Sequence, residues 1–140
     1  MSDQVCFEDL KVGMSASTGK TITEADIEKF AEVSTDTNPV HMSEEAAAAT
    51  PFHHRIAHGM LSAGLISAVL GNRLPGPGTI YLGQSLRFRA PVRIGDTVTA
   101  IAEVTALDSA RKRATLKTTC KVGEKVAIEG EALVMPPSRA

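Results

Sequence analysis

The side chains best suited to proton chemistry crowd into one short stretch: Asp36 and all four histidines, His41, His53, His54 and His58, lie between positions 36 and 58. Asp36 and His41 are separated by Thr37-Asn38-Pro39-Val40, and a proline between them bars a continuous helix. A bent loop is therefore what must bring them together. In such a loop Thr37 and Asn38 can hold the backbone through side-chain hydrogen bonds while the carboxylate and the imidazole face one cavity. A carboxylate and an imidazole that share a water can move protons near neutral pH. The same Asp-x-Asn-Pro spacing also suits a plain turn, with Asp36 as its cap and His41 as an ordinary polar residue, and spacing alone does not choose between them.

His58-Gly59 offers a different resource. A helix starting at Gly59 turns free N–H groups and a positive dipole end toward whatever lies in front of it, and only glycine lets a ligand approach that backbone closely. A carbonyl oxygen gaining negative charge would be stabilised there. The competing role is packing, with Gly59 simply permitting close approach of helix and sheet. Ser62, one turn further on, suits orienting a carbonyl or a water, or else bonds back to its own helix. His53, His54 and His58 raise the question of a metal, but Pro51 and Gly59 deny them a single helix, HExxH is absent, and neither cysteine is near. They read as loop histidines, and no metal site is expected. Arg87, Arg89 and Arg93, with Arg111, Lys112 and Arg113, form two basic clusters suited equally to phosphate groups and to solvated faces.

The elements that must position these residues follow from local pattern. Met14–Ile22 carries a weak strand signal. Thr23, with Asp26 three residues on, starts a helix whose face is Ile27, Phe30, Ala31 and Ser34, and Asp36-Thr37-Asn38-Pro39 ends it near Thr35. Ser43 opens a second short helix through the alanines to Thr50, closed by Pro51. From Gly59 the run MLSAGLISAVL is apolar or small on every side, which predicts a helix inside the protein. Beyond the Pro- and Gly-rich stretch 72–78 the period becomes two, giving strands near 79–90, 97–107, 113–122 and 125–135 in an antiparallel meander. The order is α+β, with a curved sheet of about five strands needed to wrap the apolar helix.

A length of 140 residues and 43% hydrophobic content predict one domain over 1–140, able to form a core without staples. A formal charge of −1 supplies no field for nucleic acid, and no apolar stretch is long enough to cross a membrane as a helix. The N-terminal residues lack an apolar signal core, and Cys6 and Cys120 are far apart in no CxxC pattern, so a reducing compartment, the cytoplasm, is expected.

Several segments together resemble one family: FAEVSTDTNPVH (30–41), HGML (58–61), GTIYLGQSLRF (78–88), Pro91-Val92 and Gly95-Asp96. The chain resembles the (R)-specific enoyl-CoA hydratases of the MaoC-like, hot-dog-fold group over about residues 10–135. It departs from that pattern at Thr35, where the family usually has glycine. The resemblance implies a hot-dog fold, a five-stranded antiparallel sheet wrapped around a central apolar helix with short overhanging helices, and homodimers that pair two sheets edge to edge. It implies reversible syn hydration of trans-2-enoyl-CoA to (R)-3-hydroxyacyl-CoA within fatty acid metabolism or polyhydroxyalkanoate precursor supply. Asp36 and His41 would handle the water and Gly59 N–H the thioester oxygen, with Asn38, His58 and Ser62 contacting substrate. Coenzyme A would belong to the substrate, with no separate cofactor.

Three alternatives remain at this level. An acyl-carrier-protein thioester could replace the CoA ester, or the chain could be a non-catalytic acyl-binding subunit of a heterodimeric dehydratase. A thioesterase would want an acid on the buried helix, and Met60–Leu70 contains none.

Overall fold

The structure, a computed structural model, describes residues 4–139. A 3-10 turn at Phe7–Asp9 precedes β1 (Ser15–Thr21), α1 (Glu24–Ser34), α2 (Pro39–Met42), α3 (Glu44–Ala48) and α4 (Gly59–Asn72). Strands β2 (Ile80–Phe88), β3 (Thr97–Asp108), β4 (Arg113–Val122) and β5 (Lys125–Met135) complete the chain. Thr23 caps α1 as its pattern predicts: Thr23 Oγ1 accepts from Asp26 N–H and the Asp26 carboxylate accepts from Thr23 N–H.

The alternation in the second half becomes the core. Val98, Ala100, Ala102 and Val104 on β3 face inward with Ala114, Leu116, Thr118 and Cys120 on β4, and all eight are sealed from solvent. Burying a valine or leucine side chain in this way stabilises the fold by about 1.5–3 kcal/mol. Small Ala100 and Ala102 leave room for α4, which packs chiefly on β3. From α4 the sheet receives Ser62, Ala63, Ile66, Val69 and Leu70. A five-stranded antiparallel sheet around this helix is the expected hot-dog arrangement.

Two expectations are corrected. The strand order is β1-β3-β4-β5-β2, so only β3, β4 and β5 form a meander, while β2 pairs with β5 and β1 with β3. The cause lies in residues 89–96, which make no tight hairpin: Val92 O accepts from Ala57 N–H, Arg93 bridges Ile56, and Gly95 N–H reaches Ile22 O. That engagement delivers β3 beside β1. Secondly, α4 is not enclosed on every side: Met60, Gly64 and Ser67 form an open stripe, because the sheet covers only one face of the helix. Exposed Tyr81 and Leu82 on β2 line one groove with that stripe.

Candidate active site

The loop after α1 is built around one unfavourable backbone conformation. Thr35 caps α1 with φ 64° and ψ 10°, a left-handed geometry that costs a β-branched residue on the order of 1 kcal/mol or more. This is the position where glycine is usual in the resembling family. Ser34 Oγ helps to hold the turn, donating to Phe30 O at 2.6 Å and accepting Asp36 N–H at 3.1 Å. Asp36 Oδ1 then accepts Asn38 N–H at 3.2 Å, and Asn38 Oδ1 accepts Val40 N–H at 3.1 Å. Asn38 thereby caps α2, a single helical turn not anticipated in the sequence, with Pro39 at its start where a missing N–H is harmless.

His41 sits near the end of that turn. Its Nδ1 lies 2.8 Å from Ile56 O, and a carbonyl can only accept, so Nδ1 carries the proton and Nε2 is left with its lone pair. His58 is fixed in the opposite sense. Its Nε2 donates to Asp36 O at 2.9 Å, while Nδ1 is buried without a partner. The two imidazoles stack, centroids 4.0 Å apart with planes 29° from parallel, and Phe30 packs on His58 at 4.8 Å.

Asp36, His41 and His58 each bring a ligating atom within 4.8 Å of the others. The stack argues against a common metal ion. A metal lies about 2 Å from nitrogen in the plane of its ring, whereas these rings lie face to face and each spends one nitrogen on a main-chain carbonyl. His53 and His54 are exposed and elsewhere, His54 on Glu44 at 2.9 Å, so the three loop histidines share no site. The carboxylate-to-imidazole separation instead suits one bridging water.

These groups open into a cavity of about 360 Å³ lined by Asp36, His41, His58, Gly59 and Ser62, with Phe52, Phe88, Arg89 and Val92 among its walls. Of the residues singled out from sequence, Asn38 does not line it and works on the loop backbone. Ser62 Oγ is buried in the structure with no hydrogen-bond partner, so it does not bond back to its helix. Gly59 begins α4, where the first N–H groups have no intrahelical acceptor. It also faces Phe88: a Cβ at Gly59 would approach Phe88 Cδ1 to 2.7 Å, so the exposed Phe88 ring would have to shift to admit it. Glycine here serves close packing whatever its N–H does.

Sequence reasoning missed Arg55 and Phe88. The Arg55 guanidinium donates from Nε to His41 O at 2.7 Å and reaches Glu24 on α1 at 3.5 Å. The one available signal was an arginine within a stretch otherwise poised over the cavity. Of the basic clusters, Arg89 is tied to Glu129 at 2.8 Å and Arg93 to Phe52 O at 3.2 Å.

Comparison with known proteins agrees with this geometry. The chain is 64% identical over 133 residues to an (R)-specific enoyl-CoA hydratase of Rhodospirillum rubrum, covering 95% of this chain and 92% of the relative. It is 56% identical to a 3-hydroxybutyryl-CoA dehydratase of Methylorubrum extorquens, covering 95% and 85%. Among solved structures, the (R)-hydratase from A. caviae involved in PHA biosynthesis superposes with a TM-score of 0.90 at 47% identity, covering 93% of this chain and 99% of that one. Residues 9–127 match the family described as MaoC like domain, so a cavity built from the loop after α1 and the start of α4 sits here in a chain that belongs to the MaoC-like domain family.

Proposed function

We propose that the protein is an (R)-specific enoyl-CoA hydratase, adding water reversibly to trans-2-enoyl-CoA to give (R)-3-hydroxyacyl-CoA. The observation that carries the reading is the pairing of an Asp36 carboxylate with a His41 ring whose Nε2 lone pair is left free beside a helix N-terminus. Hydration requires a water to lose a proton as its oxygen attacks Cβ, a proton to reach Cα, and the thioester oxygen to carry transient enolate charge. Asp36 and His41 hold the water and pass its proton, and the Gly59 N–H receives the enolate oxygen. Delivery of both OH and H from one side of the substrate gives syn addition. Ser62 Oγ and His58 Nδ1, both buried and unpartnered, are further polar atoms available to a thioester or to an ordered water.

Hydration neither oxidises nor reduces, so no redox cofactor enters the chemistry, and coenzyme A arrives as part of the substrate. The thioesterase reading is not favoured, because α4 presents no acid. The reading extends to a cytoplasmic enzyme whose product suits polyhydroxyalkanoate precursor supply, since the A. caviae (R)-hydratase is involved in PHA biosynthesis. It also includes a homodimer. The open stripe of α4 and the apolar β2 edge form one groove that a second copy would cover. Sedimentation at micromolar protein should give about twice 14.8 kDa, and a fully active monomer would contradict it.

The experiment is loss of enoyl absorbance with purified protein on crotonyl-CoA, longer enoyl-CoAs and the matching acyl-carrier-protein thioesters. Turnover of the CoA esters supports the reading. Turnover confined to the carrier-protein thioesters would reassign the substrate, and no turnover on either would remove the reading.

A further inference from the structure

The loop that carries Asp36 and His41 is tied to a strap, residues 55–58, that runs into α4. Ile56 takes part through its backbone: its carbonyl accepts from His41 Nδ1 at 2.8 Å and its N–H donates to Val40 O at 3.4 Å. The other two bonds come from side chains of the strap, and each ends on the main-chain carbonyl of a reactive residue. Arg55 Nε–H takes His41 O at 2.7 Å, and His58 Nε2–H takes Asp36 O at 2.9 Å.

His58 is the more telling of the two. It is 2% exposed and stands at the N-cap of α4, yet its side chain makes no capping bond, so the helix start does not explain an imidazole there. Phe30 and His41 pack against its ring, which leaves it little freedom to rotate. The Asp36 peptide follows Thr35, whose left-handed backbone is unfavourable for threonine and is not held by local preference. A donor fixed from a distant element supplies what local preference does not. Fixing that peptide fixes the Cα from which the carboxylate projects, and Asn38 N–H then holds its Oδ1.

We propose that His58 is a positioning residue for hydration: it holds Asp36 through the Asp36 carbonyl and His41 through the ring stack, and passes no proton itself. The proposal rests on the roles given to Asp36 and His41 above. It assigns the work of His58 to Nε2, which faces the carbonyl, rather than to the unpartnered Nδ1.

The two ring nitrogens can be separated by substitution, because a glutamine amide reaches the place of Nε2 and an asparagine amide the place of Nδ1. His58→Gln should keep kcat within about 5-fold of wild type, whereas His58→Asn and His58→Phe should lower kcat by about 10- to 100-fold with KM little changed. Circular dichroism and melting temperature on each preparation separate a displaced carboxylate from lost folding. If His58→Phe does not fold, the Gln and Asn variants still decide. An active Asn variant with an inactive Gln variant would move the function to Nδ1 and overturn the proposal, as would a folded His58→Phe at full rate. In that last case a wild type that hydrates and an inactive Asp36→Asn leave the proposed function standing. A wild type that hydrates no enoyl thioester overturns both.

Discussion

From Val98 to Val104 on β3 and from Ala114 to Cys120 on β4 every second side chain is sealed from solvent, and each strand has a neighbour on both edges. From Glu32 to Pro39, by contrast, every residue is exposed, and Asp36 is among them. The first region is held by apolar burial and repetitive backbone pairing, where a change of volume costs stability but few particular polar groups are needed. The second is held by single hydrogen bonds between named side chains and backbone atoms, across a residue in a strained conformation. Stability and chemistry are therefore assigned to different residues. Substitutions in the sheet should move the melting temperature, and substitutions in the loop should move the rate.

The largest expected effect is on the loop side. Asp36→Asn and His41→Ala should each fold normally and lose hydration by about 10²-fold or more, the scale of an acid–base group. A folded variant with near-wild-type turnover in the absorbance assay would break the comparison at that residue.

Gly59 lies where the two regions meet. Gly59→Ala keeps the backbone N–H, so it should lower the rate per active site, by about 10-fold, only as far as the new Cβ displaces the helix start from the place of the enolate oxygen. The added Cβ meets the Phe88 ring, so a packing role predicts recovery in the double variant Gly59→Ala/Phe88→Ala. Rate recovery in that pair, measured beside the single variants, would trace the loss to that contact, and a rate still low would contradict it.

On the sheet side, a Cβ at Gly130 would fall on the Ser85 carbonyl group, with the carbon 2.8 Å away, between paired strands β2 and β5 that cannot part cheaply. Gly130→Ala should cost about 1–3 kcal/mol in denaturant melts while the folded fraction keeps its turnover. Thr35→Gly should do the reverse of most substitutions and raise stability by about 1 kcal/mol, since it relieves the left-handed threonine. A clear loss of stability would show that Thr35 is not strained.

The smallest effect belongs to the terminal clasp. The Arg139 guanidinium holds the Asp9 carboxyl below its ordinary range, and the Arg139 backbone N–H, with the Ser138 hydroxyl, brings Glu8 from 4.5 down to about 2. A depressed carboxylate stabilises the fold above its unfolded pKa and loses that contribution as pH falls through the folded one. Arg139→Ala should therefore lower the melting temperature slightly at neutral pH, and the gap from wild type should close on acidification below the ordinary carboxylate range. A gap that widened in acid would contradict this.

Much of the frame was legible because it is local. The alternation at Val98–Val104 and the Thr23–Asp26 capping box each lie within a few residues, and both appear as read. The place of β2 was not legible, since pairing Ile80–Phe88 with β5 depends on how residues 89–96 cross the fold and not on the strand's own pattern. In the site, residue types and spacing offered Asp36, His41 and Gly59 as candidates beside plainer roles, the family resemblance joined them in one site, and all three line one cavity. The partners that orient them were hidden. Arg55 and His58 reach carbonyls 14 and 22 residues away, and a main-chain acceptor leaves no trace in residue identity.

The most direct test of water held by Asp36 and His41 is the configuration of the product. Crotonyl-CoA is hydrated by the wild-type protein in the presence of an (R)-specific or an (S)-specific 3-hydroxyacyl-CoA dehydrogenase, and cofactor reduction is followed in each. Reduction is expected with the (R)-specific enzyme alone, and its rate should fall by about 10²-fold in Asp36→Asn. Reduction with the (S)-specific enzyme alone would contradict the (R) assignment, and equal signals from both would contradict water held on one fixed side of the substrate by Asp36 and His41.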